Sequence, residues 1–142
     1  MTAYAMANLH PKPVLDEEVF TYMERIQATL DPFGGRFLVH GAPDREVVEG
    51  AWPGRLVLLG FPTYENARAW YASEAYQDLI PLRARHIPGD VLLIDGVPEN
   101  YDPAATAALL RGAATDRAQT EARAQTEART RAEAQARAEE KA

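Results

Sequence analysis

Apolar positions along the chain fall into short patterned segments, followed by a long stretch without pattern. "AYAMANL" (residues 3–9) is an apolar run of strand length that ends at Pro11 and Pro13. "LDEEVFTYMERIQATL" (15–30) carries Val19, Tyr22, Met23, Ile26 and Leu30 at i, i+3, i+4, i+7 spacing, which predicts a helix. Asp16 stands where an N-cap belongs, Glu17 and Glu18 suit the positive end of the helix dipole, and Pro32 closes the segment. "GGRFLVHG" (34–41) and "GRLVLLGF" (54–61) predict two strands bounded by glycines. Between them "APDREVVEGAWPG" reads as a hairpin connection with a short extended piece at Glu46 to Glu49. After Pro62, Thr63 caps a second helix that runs to about Ala72. Ser73 caps a further segment, "EAYQDLI", which Pro81 is expected to kink or end. "DVLLIDG" (90–96) predicts the fourth strand.

The order β-α-β-β-α-β is the split βαβ arrangement, so the predicted class is α+β: a ferredoxin-like sandwich of four antiparallel strands under two helices. A sheet with one face in water alternates apolar and polar residues, yet "LVLLGF" and "VLLI" are apolar at both parities. Both faces are therefore expected to be buried. Two helices cover one face, and a second subunit is the expected cover for the other, giving a homodimer built as a dimeric α/β barrel. The alternative is that "DPAATAALL" (102–110) folds back over the open face.

Composition changes this picture mainly at the C-terminus. The 142 residues are 46% hydrophobic and 25% charged, within the range of a soluble globular domain, but from Ala113 onward alanine is the only apolar type. The expected organisation is a barrel domain over residues 1–100, a linker or short helix over 101–112, and a low-complexity charged tail, helical or disordered, over 113–142. Acidic and basic residues balance in the tail, so the whole net charge of -6 sits on the body. An acidic body without a basic stripe repels phosphate, which argues against nucleic acid or an anionic membrane as partner. The repeat "AQTEAR" (118–123, 124–129) advances a helix by about 600° per copy and builds no apolar stripe. The tail reads as a solvated helix or tether carrying Glu127–Arg131 and Glu133–Arg137 pairs, or alternatively as a docking helix. The chain has no cysteine, which excludes disulfides and thiolate chemistry. Neither a signal segment nor a membrane-spanning run is recognisable, and the expected location is cytoplasmic.

Several of these segments together resemble a known family. "GGRFLVHG", "VVEGAWPGRLVLLGFPTYENARAWYASEAYQDLIPLR" and "GDVLLIDGV" are similar to the domain-of-unknown-function 1330 family, a group within the dimeric α/β-barrel superfamily. The resemblance covers about residues 3–97 and implies the ferredoxin-like fold and a homodimer. It implies no reaction. The resemblance places His40 where family members often carry arginine, and Gly60 where they often carry an acidic residue, so that an ion pair or polar pocket wall, if the family forms one there, is altered here.

Candidate chemistry gathers on the aromatic segment. Residues 61–77 hold Phe61, Tyr64, Trp70, Tyr71 and Tyr76 in a chain that is 8% aromatic. Core packing accounts for such a face. Yet Tyr and Trp bring polar tips that need partners when buried, so a pocket for a hydrophobic or aromatic small molecule remains open as the alternative. The expected binding set is Arg36, Tyr64, Trp70, Tyr71, Tyr76 and Arg83. His40 and His86 are the candidate catalytic residues: Arg36, Leu38 and His40 alternate onto one strand face, and His86 is flanked by Arg83 and Arg85. His10, before Pro11, is expected on the surface. The histidines show no short metal-ligand spacing, and neither a nucleotide-binding glycine motif nor a Gly-x-Ser-x-Gly elbow occurs, so no metal and no cofactor is expected. Two functions follow: a cofactor-free isomerase, cyclase or monooxygenase of secondary metabolism, or a non-catalytic module binding a ligand or a protein.

Overall fold

The computed structural model describes residues 1–141. In chain order they form β1 (Ala3–Leu9), α1 (Glu17–Leu30), β2 (Arg36–His40), β3 (Arg55–Phe61), α2 (Tyr64–Ala72), α3 (Glu74–Ala84), β4 (Gly89–Asp95) and α4 (Pro103–Glu140). One compact unit covers Met1–Pro98 and a second begins at Glu99.

In the first unit the strands lie in the order β2-β3-β1-β4, every neighbour antiparallel, which is the ferredoxin-like sheet. β1 is central, with Ala5 opposite Leu59 on one side and Leu93 on the other. Because side chains alternate, the odd-numbered residues of β1, β3 and β4 share one face. On that face Ala3 is fully buried, and Ala5, Leu59 and Phe61 pack with Tyr22, Ile26, Leu30, Ala67, Trp70, Tyr76 and Leu79 from the helices. The even-numbered residues form the opposite face. There Tyr4, Met6, Leu56 and Leu58 are half-buried, and Leu92 and Ile94 are 45% and 48% exposed.

Local chemistry sets the element ends. Asp16 Oδ1 accepts the Glu18 N–H at 2.9 Å to start α1. A single 3-10 turn, Asp31–Phe33, then leads to Gly34 in the left-handed region (φ 68°). Gly35 lies so close to the core that a Cβ would sit 2.6 Å from Phe61 Cε1 and 2.9 Å from Leu30 Cδ2. Thr63 caps α2 through the Asn66 N–H, and Ser73 caps α3 through the Tyr76 N–H. Ser73 itself is extended (ψ 142°), which breaks the helix between Trp70 and Tyr76. Uninterrupted helix would turn about 600° over six residues and point the two rings about 120° apart. With the break, their ring centroids lie 4.0 Å apart.

Three expectations change. Arg36 and His40 do not share a face, because a β-bulge between Phe37 and Val39 shifts the register: Arg36 stays opposite Gly60, while His40 falls opposite Val57. His40 thereby joins Phe37 on the helix-covered side, their rings 4.9 Å apart. Of the two outcomes expected at Pro81, a kink or an end, the end does not occur, since α3 continues to Ala84 and the Arg85 N–H still reaches Pro81 O at 3.2 Å. Pro81 is solvent-exposed in the last turn, where water can satisfy the carbonyl that proline leaves free. Residues 46–49 join no strand; the connection is held instead by Arg45, whose Nη1 donates to Gly54 O at 2.6 Å and Nη2 to Trp52 O at 3.2 Å.

In the second unit α4 runs 38 residues, about 57 Å, without a buried side chain. Asp102 caps it through the Ala104 N–H at 3.0 Å, and Pro103 occupies its first turn. Among the described residues the ion pair it forms is Arg129–Glu133, Nε to Oε1 3.0 Å, and not the expected Glu127–Arg131 and Glu133–Arg137. Glu133 is already engaged by the arginine one turn earlier. No helix among the described residues is long and apolar enough to cross a membrane.

Candidate functional site

Helix α1 turns Val19, Tyr22 and Ile26 toward the odd-numbered face of the sheet, and the central strand answers with alanines, Ala3, Ala5 and Ala7. Alanine fills little of the space between a helix and a sheet. A cavity of about 600 Å3 lies there, walled by Ala5, Ala7, Val57 and Leu59 on the sheet side and by Val19, Met23 and Ile26 on the helix side. Its size and apolar walls suit a small organic ligand.

The register orders its two ends. Leu9 pairs with Arg55, so Arg55 and the following Lys12 mark one end, with His40 one step in, opposite Val57. Trp70 stacks on Phe61, centroids 5.4 Å apart, and marks the other. Trp70 Nε1 donates to Thr29 Oγ1 at 3.0 Å, and Thr29 Oγ1 donates to Ile26 O at 2.7 Å, so the indole is a satisfied wall. Beside it the hydroxyls of Tyr22 and Tyr76 share a hydrogen bond of 2.8 Å. Burial pushes the Tyr22 phenol well above the usual tyrosine range, the Tyr76 hydroxyl adding to the effect, so Tyr22 is protonated across physiological pH. Arg83, from α3, is only 8% exposed and holds its Cζ 5.7 Å from the Tyr22 ring centroid. Burial disfavours its charge, but the Tyr76 and Tyr22 hydroxyls more than offset this and the net shift is upward. It is a cation.

Of the residues singled out from sequence, His40, Trp70, Tyr76 and Arg83 line this one cavity. The others do not. Arg36 is exposed and in register with Gly60, on the other side of the sheet. Tyr64 is half-buried under Arg68, whose Cζ is 5.9 Å from its ring centroid. Tyr71 backs the wall, its ring 5.7 Å from that of Tyr76. His86 sits against carboxylates and not against Arg83: its Nε2 is 3.0 Å from Glu18 Oε1 and 3.4 Å from Asp16 Oδ1, while Arg85 Nη1 reaches Glu18 Oε2 at 2.8 Å. Asp16, Glu18 and His86 bring ligand-type atoms within 4.8 Å of one another, a grouping that linear spacing could not show. Those atoms already have partners, since Asp16 caps α1 and Glu18 pairs with Arg85, and the cluster ties the start of α1 to the end of α3. Sequence reasoning missed Tyr22, Lys12 and Arg55 as cavity residues. For Tyr22 the available signal was a hydroxyl at a core position, which must find a partner.

Residues 2–97 match the family described as Domain of unknown function (DUF1330), and the chain belongs to that family. No curated protein matches it. Among solved structures it is similar to the RPA0582 protein of unknown function from Rhodopseudomonas palustris, at 12% identity and TM-score 0.49 over 68% of this chain and 84% of that one. It is also similar to SnoaB, a cofactor-independent oxygenase from Streptomyces nogalater, at 15% identity and TM-score 0.42 over 71% and 96%. A dimeric ferredoxin-like protein of unknown function from Jannaschia sp. CCS1 aligns at 17% identity and TM-score 0.39 over 66% and 100%.

Proposed function

We propose that this member of the domain-of-unknown-function 1330 family is a homodimeric binding protein whose protomers each take one hydrophobic or aromatic small molecule between α1 and the sheet. The observation that carries this reading is the cavity of about 600 Å3, apolar along its length and polar only where Tyr22, Tyr76 and Arg83 meet at one end and Lys12, His40 and Arg55 at the other. A few placed polar groups in an apolar cleft orient a ligand. The dimer is supported by the opposite face of the sheet, where Leu38, Leu92 and Ile94 are 36%, 45% and 48% exposed in the protomer. Apolar surface on a sheet face gains by burial against a second copy.

Turnover by a cofactor-free isomerase, cyclase or monooxygenase is the second reading. His40 favours it, as the one imidazole among the described residues that line the cavity and a side-chain type used in general acid–base catalysis. The binding reading ranks first because His40 sits at the open end, exposed, away from the buried hydroxyl pair.

The test is titration of the full chain with N-phenyl-1-naphthylamine, a neutral fluorescent probe, for wild type, Ala7→Phe and His40→Ala. One probe per protomer is expected in wild type and in His40→Ala, and none in Ala7→Phe, where the ring fills the middle of the cavity. Equal binding by wild type and Ala7→Phe, or none by wild type, contradicts the reading.

A further inference from the structure

The chain carries 21 acidic and 15 basic residues, yet no aspartate or glutamate lines the cavity, and its ionised side chains are Lys12, Arg55 and Arg83. Charge inside it is reversed against the charge of the protein. The inner end is more selective still. Arg83 is 8% exposed, and no ion pair among the described residues includes it. A guanidinium is donor-only. The Tyr22 and Tyr76 hydroxyls hold two protons between them and use one in their mutual bond of 2.8 Å, leaving the other to donate. Three side chains thus converge on one spot with donors to spare and no carboxylate to receive them. The Tyr22 and Tyr76 hydroxyls and the π-face of Tyr22 stabilise the buried guanidinium, but none of them is a counter-charge, which an anionic ligand would supply.

We propose that the ligand is an aryl carboxylate, bound with its carboxylate on Arg83 and the Tyr22–Tyr76 pair and its ring along Trp70, Ala5 and Leu59. Arginine suits this head group because its planar fork matches both carboxylate oxygens. Trp70 and Tyr76, 4.0 Å apart at their centroids, give an aromatic wall beside that fork. Lys12 and Arg55 at the other end draw an anion inward against the overall charge. The proposal rests on the ligand-binding reading above and adds the charge, class and orientation of the ligand.

Calorimetric titration of the full chain with 2-naphthoate and with 2-naphthamide tests it. The two probes share a ring system and differ in charge. Wild type should bind the acid at least about tenfold more tightly than the amide, the order expected for hydrogen bonds to a charged group. Arg83→Met, which keeps the apolar stem, should abolish that preference, giving equal affinities for acid and amide, while retaining the circular dichroism spectrum of the folded chain. Arg83→Lys should retain part of the preference. Equal binding of acid and amide by wild type overturns the proposal, as does a preference that survives in Arg83→Met, which would place the anion at Lys12 and Arg55. If the neutral probe binds and neither naphthyl compound does, the carboxylate proposal fails alone. Should all three fail to bind, the binding reading falls with it.

Discussion

Tyr22 stands at helical spacing with Val19 and Ile26, and in the sequence nothing sets it apart from them. Folded, it is a buried phenol whose hydroxyl is bonded to Tyr76 and whose ring lies beside Arg83. An unfolded chain ionises Tyr22 near the ordinary value of 10.0, whereas burial holds the folded group protonated well above it. Below about pH 10 both states keep the proton and pH has no leverage through this residue. Above it the unfolded chain releases a proton that the native state retains, so stability falls as pH rises, by up to about 1.4 kcal/mol per pH unit. Tyr22→Phe should therefore lose stability less steeply than wild type between about pH 10 and pH 11.5, by close to one proton, in urea unfolding followed by circular dichroism. Parallel slopes would show that Tyr22 is not held protonated by the fold. His40 gives the complementary lesson. Strict alternation puts it with Arg36, but one bulged residue moves it to the cavity, and no propensity marks where a strand will bulge.

Element boundaries were the most legible feature, because caps are chemical. Asp16, Thr63 and Ser73 each accept the backbone N–H that their place before an apolar-periodic run implies. The consequence of the Ser73 break was not legible, since bringing Trp70 and Tyr76 together depends on the angle between α2 and α3. The continuation of α3 past Pro81 was not legible for a related reason: in a solvated last turn the cost of the proline's missing N–H is low. The paired glycines before β2 look alike in sequence and differ in role. Gly34 supplies a left-handed turn, whereas Gly35 makes room for Phe61 and Leu30, both fully buried. Gly35→Ala should thus cost about 1–3 kcal/mol by overpacking, read as a lower midpoint in thermal unfolding. An unchanged midpoint would mean that the junction of α1, β2 and β3 is looser than its contacts indicate.

Across the whole molecule, the order of elements and the apolar character of both sheet faces were readable, because they are written in period and parity. The cavity was not. Its cause is the run of inward alanines on β1, which from sequence is only a weakly patterned apolar strand; only the height of α1 above them shows that their small size leaves a volume unfilled. Its charge reversal was hidden likewise, since Lys12, Arg55 and Arg83 come from three separate parts of the chain. The central claim joins this cavity to the proposed second subunit on the apolar sheet face. Native mass spectrometry of the full chain with N-phenyl-1-naphthylamine reads both at once. Wild type should appear at twice the protomer mass and saturate with two probe molecules, while Ala7→Phe should form the same dimer and take up none. A monomeric mass, or a dimer that loads wild type and Ala7→Phe alike, would contradict the account.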